Sequence, residues 1–548
     1  MTAPDERGPQ QPAPQIAVPG TPAPQAEAPQ VPMPQTPAPQ ALAPQADHPL
    51  PAYPTAPELN DELVVDWHRL DARMVVVRPL NEIIGLVPVL IGLLVLGNGD
   101  GWRVGMSIAV VVLVVALGVL NWVTTRYRIT PEQVELRTGL FVRKRLAVPR
   151  DRIRSVDLTA KLGHRLFGLS AVRLGTGSRD QPGEDGLTLD AVTSAEGERL
   201  RVLLLDHAPR TGRSPDEGPR PVQPGTTLAE LDVRWLRYAP LTLSGLVGIG
   251  ALFGVVVNFA RELDIEVLDP AVDAAHWVVG QPLAQTIAVS VLVVAVLSTL
   301  GALLLYVLQF WGYRLTREPD GTVRVRRGLL TTRSVSLAEQ RLRGVEVQEA
   351  LLLRAGRGAK AVAVTTGLGS KGESSLLLPP APRAEAHRVT SEVLRVEAPP
   401  TTAPLRGHPA AALRRRVVRA VGPALVLVAA LVVWAPSWAW QAALPLVPLA
   451  ALVGWDRYRS LGHALTDRYL VVRSGSLLRE TVALQRTGII GWRVRRTFFQ
   501  RRAGLVTVVA TTAAGDGHYA VVDVGEADGL AVADEAVPDL LRPFLLRP

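Results

Sequence analysis

The sequence predicts an integral membrane protein in which six helices form three hairpins and three cytoplasmic domains are antiparallel β-barrels or sandwiches, each with a C-terminal helix. Two observations lead to this fold class: strongly apolar segments come in pairs, and a similar motif follows every pair. The motif places a glycine and two aliphatic residues at constant spacing, as Gly139, Val148 and Ile153, then Gly328, Leu337 and Leu342, then Gly475, Leu484 and Ile489. Such a repeat indicates one structural unit used three times.

Length and composition agree with three units. The chain has 548 residues, whereas a soluble domain usually has about 100 to 200. It has no cysteine, which excludes disulfides, thiolate catalysis and cysteine-ligated metals. The net charge of +9 is compatible with binding to nucleic acid or to an anionic membrane surface. Because many basic residues stand beside apolar segments, we expect the lipid bilayer, with its anionic headgroups, as the partner, and no nucleic acid.

The N-terminal segment 1–57 differs from the rest of the chain. It holds seventeen of the forty-five prolines and few large apolar side chains. Such a segment cannot bury enough surface to offset its ordering entropy, so we expect a disordered Pro/Gln/Ala-rich tail. It is either a spacer or a proline-rich recognition peptide. A signal peptide is not expected, because Asp5 and Glu6 precede a long polar tract.

The apolar segments predict membrane hairpins at 80–123, 239–311 and 417–455. Their arms, each near the ~20 residues that cross a bilayer core, are 80–97 and 104–123, 239–260 and 283–311, and 417–435 and 438–455. The last arm contains Pro445 and Pro448, so a kinked or re-entrant helix is an alternative to a full crossing. Backbone groups inside a bilayer must satisfy one another, which makes these segments helical.

Charge predicts the orientation. The loop 261–282 has one basic residue and five acidic ones, whereas 124–238 has twenty Lys and Arg residues. Positive charge near the ends of spans marks the cytoplasmic side. We therefore expect a multi-pass protein of the cell membrane with both termini and all three soluble domains in the cytoplasm.

The soluble domains are predicted at 124–238, 312–398 and 456–548. Apolar residues alternate with polar ones between glycines and prolines, which is typical of half-buried antiparallel strands. A hairpin turn is expected at each repeated glycine, with a positive φ angle there. The helical pattern at 385–396 predicts the helix that closes the second domain.

Four segments of the first domain resemble a known family. They are YRIT at Tyr127, RTGLF at Arg137, VPRDRIRSV at Val148 and RLFGLSAVRL at Arg165, and they are similar to the bacterial pleckstrin-homology (PH) domain family of membrane proteins, in particular its YdbT-like multi-copy group. The resemblance implies a PH-like barrel with a C-terminal helix and no established activity. It also suggests a scaffold or adaptor in envelope homeostasis or stress response. The other copies diverge, with Ala338 and Gln485 in place of Pro149.

Other function classes find little support. The sequence has no P-loop, HExxH, GxSxG or dinucleotide-binding motif, so we expect no enzyme, no cofactor and no metal site. His164 and His463 are predicted to be surface or structural residues. A transporter or channel is disfavoured because Glu82 and Arg419 are the only ionisable residues within the predicted spans. An anionic-lipid-binding membrane protein is the main alternative to the adaptor.

Basic clusters and one glycine pair are the candidate site residues. The candidate anionic-lipid contacts are Arg143, Lys144, Arg145, Arg414, Arg415 and Arg416; the alternative is a solvated strand face with ordinary positive-inside charge. Gly250 and Gly254 form a GxxxG motif for close helix packing, either within the bundle or in a homo-oligomer. A tract of arginines at 493–502 surrounds Phe498 and Phe499. Basic residues interleaved with aromatic ones can bind nucleic acid, but we interpret the tract as an interfacial contact or a site for a partner such as another membrane protein.

Overall fold

A computed structural model describes residues 67–75, 77, 101–139, 144–153, 155–175, 187–205, 225–242, 282–366, 373–538 and 540. All of them belong to one compact part of the chain, Leu63–Pro548. The predicted tail 1–57, the predicted arm 80–97 and most of the arm 239–260 lie outside the described residues.

The first unit contains two groups of antiparallel strands around one apolar core. The first group is β1 (His68–Arg69), β2 (Arg126–Ile129), β3 (Gln133–Thr138) and β4 (Lys144–Pro149), and helix α1 (Gly101–Thr124) separates β1 from β2. The second group is β5 (Ser155–Ala160), β6 (Leu169–Gly175) and β7 (Thr188–Thr193). A short helix α2 (Leu162–Leu166) joins β5 to β6, and α3 (Ser194–Leu205) follows β7. Val134, Ile153 and Leu169 are fully buried in the shared core.

The second unit repeats this plan. Its first group is β8 (Thr226–Glu230), β9 (Arg314–Arg317), β10 (Thr322–Arg327) and β11 (Thr332–Ala338), with α4 (Leu283–Phe310) between β8 and β9. Its second group is β12 (Leu342–Ala350), β13 (Gly358–Thr365) and β14 (Leu376–Pro382). The helices are α5 (Leu351–Ala355), after β12, and α6 (Arg383–Leu394), after β14. Helix α6 confirms the predicted closing helix.

The third unit has a single bridge, between Arg406 and His463, in place of a first strand. Helices α7 (Ala410–Trp434), α8 (Ser437–Ala443) and α9 (Leu446–Arg459) follow. The strands are β15 (Gly462–Leu465), β16 (Tyr469–Gly475) and β17 (Leu478–Gln485), then β18 (Ile489–Arg495), β19 (Leu505–Thr512) and β20 (His518–Gly525). The short helix α10 (Phe498–Arg502) joins β18 to β19, and α11 (Glu526–Ala536) closes the unit.

The units are joined by their strands. The second group of the first unit pairs with the first group of the second unit in a seven-stranded sheet of order β7-β6-β5-β11-β10-β9-β8. A six-stranded sheet, β14-β13-β12-β17-β16-β15, joins the second unit to the third in the same way. The two junctions have the same register, since Asp157 lies opposite Val335 and the equivalent Glu346 lies opposite Val482. We call these junctions the seams.

Each predicted membrane hairpin is an insertion within a unit. The first strand or bridge of a unit precedes the hairpin, and the remaining strands follow it. The predicted boundary of the first soluble domain at residue 238 therefore needs correction, because β8, inside 124–238, pairs with β9 of the second unit. The sequence marks the start of the apolar segment, but the pairing of β8 with a strand about eighty residues later leaves no local pattern.

Three described helical segments are long and apolar enough to cross a membrane, namely Ala284–Phe310, Ala410–Trp434 and Ser437–Arg459. The predicted arm 104–123 lies in α1, whose apolar part Ile108–Thr124 is shorter. The arm 438–455 is interrupted between α8 and α9, where Pro445 caps α9, as expected for a kinked helix. Gly454 lets α9 approach α7, since a Cβ atom there would lie 2.8 Å from the Cα of Val417.

The repeated glycines form tight hairpin turns. The φ angles of Gly139, Gly328 and Gly475 are 99°, 108° and 101°, in the region that other residues rarely adopt. A Cβ atom on Gly328 would lie 2.0 Å from the carbonyl oxygen of Thr331, and one on Gly475 would lie 1.9 Å from that of Leu478. The predicted positive φ angle is confirmed in all three units.

A buried carboxyl makes the second seam sensitive to pH. Glu346 is 3% exposed on β12, and burial raises its pKa to about 7. An unfolded glutamate has a pKa of about 4.3, so between these values the folded chain holds a proton that the unfolded chain has released. Stability must therefore fall as the pH rises through this range.

We predict that Glu346→Gln removes this decline, because the amide stays neutral. At pH 8 the variant should be more stable than the parent by up to about 3 kcal/mol, whereas at pH 4 the two should agree. Thermal unfolding of the purified protein at a series of pH values measures the difference. Replacement of the exposed Glu535 by Gln is the control. Parallel pH profiles for Glu346→Gln and the parent would contradict the prediction.

Candidate functional site

The short helices α2, α5 and α10 occupy the same place in the three units and expose apolar side chains. Leu166 of α2 is 77% exposed and Phe499 of α10 is 72% exposed. The other exposed apolar residues on these helices are Leu162, Leu351, Leu352 and Phe498. Exposed apolar side chains that recur in three diverged copies indicate a shared contact surface rather than isolated surface residues.

Each short helix lies beside the end of an apolar helix. On α2, the Arg165 guanidinium donates to the carbonyl oxygen of Leu329, whose own N–H donates to Leu308 of α4 over 2.9 Å. On α5, Arg354 pairs with Asp456 of α9 at 2.8 Å. Helix α10 is connected to α7 through Asp523, as described below. The exposed apolar residues therefore lie on the side of the units from which the apolar helices extend.

Hairpin turns add to the same side. Leu330, Leu477 and Leu478 follow the repeated glycines and are exposed. The N–H of Leu351, at the start of α5, donates to the carbonyl oxygen of Leu477 over 2.7 Å. At each seam the turn of one unit thus meets the short helix of the unit before it. We call the set of short helices and turns the apolar rim.

A buried carboxylate joins α7 to the third unit. Asp523 is fully buried on β20 and accepts hydrogen bonds from Arg416 Nε at 2.7 Å, from Gln500 Nε2 at 2.8 Å and from the Arg415 guanidinium. Its φ angle is +59°, a conformation that Asp and Asn tolerate better than most residues. We call this group the Asp523 cluster. Through Gln500, this cluster fixes α10 against the end of α7 that is predicted to face the cytoplasm.

Two histidines pack beside this cluster. His408 Nδ1 lies 3.1 Å from the carbonyl oxygen of Asp523, and His408 Nε2 lies 3.3 Å from Nδ1 of His463. Burial lowers the pKa of both rings, that of His463 to about 4, so they are neutral at physiological pH. Within the described ranges, no group of three or more His, Cys, Asp or Glu residues could hold a metal ion. The two buried rings contact one another with centroids 5.3 Å apart, and the sequence spacing of the two residues gives no sign of this contact.

The structure separates the predicted lipid-contact residues. Arg415 and Arg416 face Asp523, each with a side chain only 13% exposed, whereas Arg414 is exposed. Arg145 is exposed on β4 and pairs with the buried Glu135 at 3.0 Å. The predicted residues outside the described set are Arg143, the side chain of Lys144, Gly250 and Gly254. Lipid contact by these arginines stays a prediction.

Strand β18 carries part of the arginine tract. It pairs with β19 and is an outer strand of its sheet in the described part of the chain. Arg493 and Arg495 are exposed, as are Ile490 and Val494. The indole Nε1 of Trp492 is shielded from solvent but has no acceptor among the described residues.

We predict that Asp523→Asn weakens the attachment of α7 to the third unit. Asparagine keeps the backbone conformation but leaves Arg415 and Arg416 buried without a carboxylate, which should cost about 3 kcal/mol. Trypsin should then cut the third unit faster, and its thermal unfolding temperature should fall. Replacement of the exposed Asp528 by Asn, in the same unit, should change neither property. Equal proteolysis of the two variants would show that the Asp523 cluster contributes little.

Comparison with known proteins agrees with this architecture. The family model described as "Bacterial PH domain" matches residues 81–208, 264–396 and 414–533, which is more than half of the chain. The UPF0699 transmembrane protein YdbT of Bacillus subtilis (strain 168) is 22% identical over 433 residues, which cover 76% of this chain and 85% of that protein. No solved structure matches. The predicted resemblance is confirmed, and the chain belongs to the bacterial PH domain family, as a membrane protein that carries the domain three times.

Proposed function

We propose that this protein is a membrane-anchored scaffold or adaptor that acts by binding, not by catalysis. Its three units form one row through the seams, and strand β18 at the end of the row binds an extended acidic segment of another membrane protein. The observation that carries the proposal is the outer position of β18. The process we propose, envelope homeostasis or stress response, rests on the family resemblance. A multi-pass topology with both termini in the cytoplasm is part of the proposal and is supported by the charge distribution.

Repeat equivalence supports β18 as the binding edge. Strands β5 and β12, its counterparts, each pair with a strand of the following unit. An outer strand presents unpaired N–H and C=O groups, and another chain can add to it as an extra strand. The described residues contain no fourth unit that pairs with β18. The edge through which β5 and β12 pair with the following unit is therefore open to a partner at β18.

Charge supports an acidic partner. At the position where β5 has Asp157 and β12 has Glu346, β18 has Arg493. In the first seam, Asp157 pairs with Arg333 of the neighbouring unit at 2.6 Å. The reversed sign on β18 favours a strand with carboxylates, because opposite charges across a strand pair stabilise it.

The same argument disfavours self-association through the two ends of the row. The strand of the first unit that corresponds to β11 and β17 is β4, which contains Lys144 and Arg145. In the register of the seams, Lys144 of one copy would lie opposite Arg495 of another. Like charges in directly opposite positions destabilise strand pairing, so a second copy is a poor partner for β18.

We predict that charge reversal on β18 abolishes partner binding. The full-length double variant Arg493→Glu/Arg495→Glu should recover a crosslinked partner from native membranes about tenfold less efficiently than the parent, because it repels the acidic segment. The control, Arg199→Glu/Arg326→Glu, makes the same change in net charge at exposed residues of the first and second units, away from β18. Mass spectrometry should map the crosslink to an acidic segment of the partner.

Two results would contradict the proposed function. One is equal recovery of the same proteins by the β18 variant and the control, which would exclude this edge as the binding site. The other is recovery of no specific protein by the parent, which would exclude the adaptor role.

A further inference from the structure

We propose that helix α10 is a membrane-interface anchor, in which Phe498 and Phe499 enter the bilayer surface while Arg501 and Arg502 bind the phosphates of anionic lipids. This contact is separate from the β18 edge and does not depend on a protein partner. It also differs from the lipid contacts that the sequence predicts at Arg143 to Arg145 and Arg414 to Arg416.

The first argument is the exposure of the two aromatic rings. Phe498 and Phe499 are 59% and 72% exposed on a helix of five residues. Their rings contact one another edge to face, with centroids 5.6 Å apart, so together they form a single apolar projection. Adjacent phenylalanines with this exposure are unfavourable in water, whereas aromatic rings are common at the level of lipid headgroups.

The second argument is that α10 is held firmly in place. Thr497 and Gln500 form a capping box at its start. Gln500 is only 3% exposed and donates to Asp523 over 2.8 Å and to Thr507 Oγ1 over 2.8 Å. The phenylalanines are therefore presented by a fixed element rather than by a mobile loop.

The third argument is the position of α10 relative to the membrane. Asp523, which binds Gln500, also binds Arg415 and Arg416, and the predicted span of α7 begins at the next residue, Val417. The headgroup region is about 5 to 8 Å thick on each side of the hydrocarbon core. The carboxylate of Asp523 thus links helix α10 to two arginines that directly precede the predicted span. This link places α10 at the depth of the headgroups.

The fourth argument is charge. Arg501 and Arg502 are exposed and follow the phenylalanines directly. Arg496, by contrast, pairs with Glu526 at 2.5 Å and is not assigned to lipid. Arginines beside an apolar projection at the membrane surface provide donors for phosphate oxygens and an attraction for anionic lipid.

The other units support the same interpretation. Helices α2 and α5 occupy the equivalent place and expose leucines, such as Leu166 and Leu352. The residue types differ between the three copies, but the apolar character and the position beside an apolar helix are kept. A bilayer selects for these two properties without requiring a particular side chain.

Spin labels can test the proposal, because the natural chain has no cysteine. The full-length protein with Phe499→Cys carries a nitroxide at the proposed anchor, and Thr487→Cys carries one at an exposed control position. Thr487 precedes β18 at its other end, roughly 20 Å away by the rise of about 3.3 Å per strand residue. Both proteins are placed in nanodiscs of phosphatidylcholine with phosphatidylglycerol, and relaxation by oxygen is compared with relaxation by a water-soluble nickel complex.

We expect the label at 499 to be relaxed more by oxygen and the label at 487 more by the nickel complex. Adding Arg501→Glu/Arg502→Glu to the Phe499→Cys protein should move its label toward water, and the label at 487 should show whether these changes disturb the fold. Relaxation of the 499 label by the nickel complex to the same extent as the 487 label would overturn the proposal. The proposal would also be overturned if the label at 499 were shielded from the nickel complex in native membranes but not in nanodiscs. A protein, and not lipid, would then cover α10. Failure of the adaptor proposal would leave both nanodisc results unchanged.

Discussion

Pairing between the edges of neighbouring sheets is the interaction on which the architecture depends. An isolated unit would have two outer strands with unsatisfied backbone groups, and such strands associate readily with other chains. In this protein β5 pairs with β11 and β12 pairs with β17, each in the same register. The pairing satisfies those groups within the chain and converts three small domains into one continuous row. Side chains reinforce it, as in the ion pair of Arg333 with Asp157.

The seams also determine how the membrane helices are arranged. Because each predicted hairpin is inserted between the first strand or bridge of a unit and its next strand, both of its ends are attached to the same sheet. The apolar rim and the Asp523 cluster then lie on the side from which the apolar helices extend. The row consequently has one side suited to the bilayer and, at β18, one edge suited to a partner. This division is the basis for our proposals that α10 contacts lipid and that β18 contacts a protein.

The sequence predicted the local features of this fold well. The repeated glycines at the hairpin turns, the strand alternation and the PH-like family were all accessible from short segments of the chain. These features depend on steric limits at one residue or on a period of a few residues. Charge alone predicts the candidate lipid residues, and charge does not distinguish the exposed Arg414 from Arg415 and Arg416, whose partner is more than a hundred residues away.

The seams and the Asp523 cluster were inaccessible for the same reason. Asp523 stands within the apolar alternation of β20, where a polar residue would ordinarily face solvent, and only the tertiary structure shows it to be fully buried. The pairing of β8 with β9 and of β5 with β11 joins strands that a predicted membrane hairpin separates in the sequence, so no local period records it. The exposure of Phe498 and Phe499 likewise requires knowledge of what surrounds α10.

The most direct test of the continuous row is a distance measurement between its outer units. Nitroxides can be placed at Arg199→Cys in the first unit and Asp467→Cys in the third, both exposed positions, in the otherwise cysteine-free full-length protein. Pulsed electron spin resonance in nanodiscs should give one narrow distance distribution, because two seams of paired strands lie between the labels. A broad distribution, as expected for three units connected only by their membrane helices, would contradict the account.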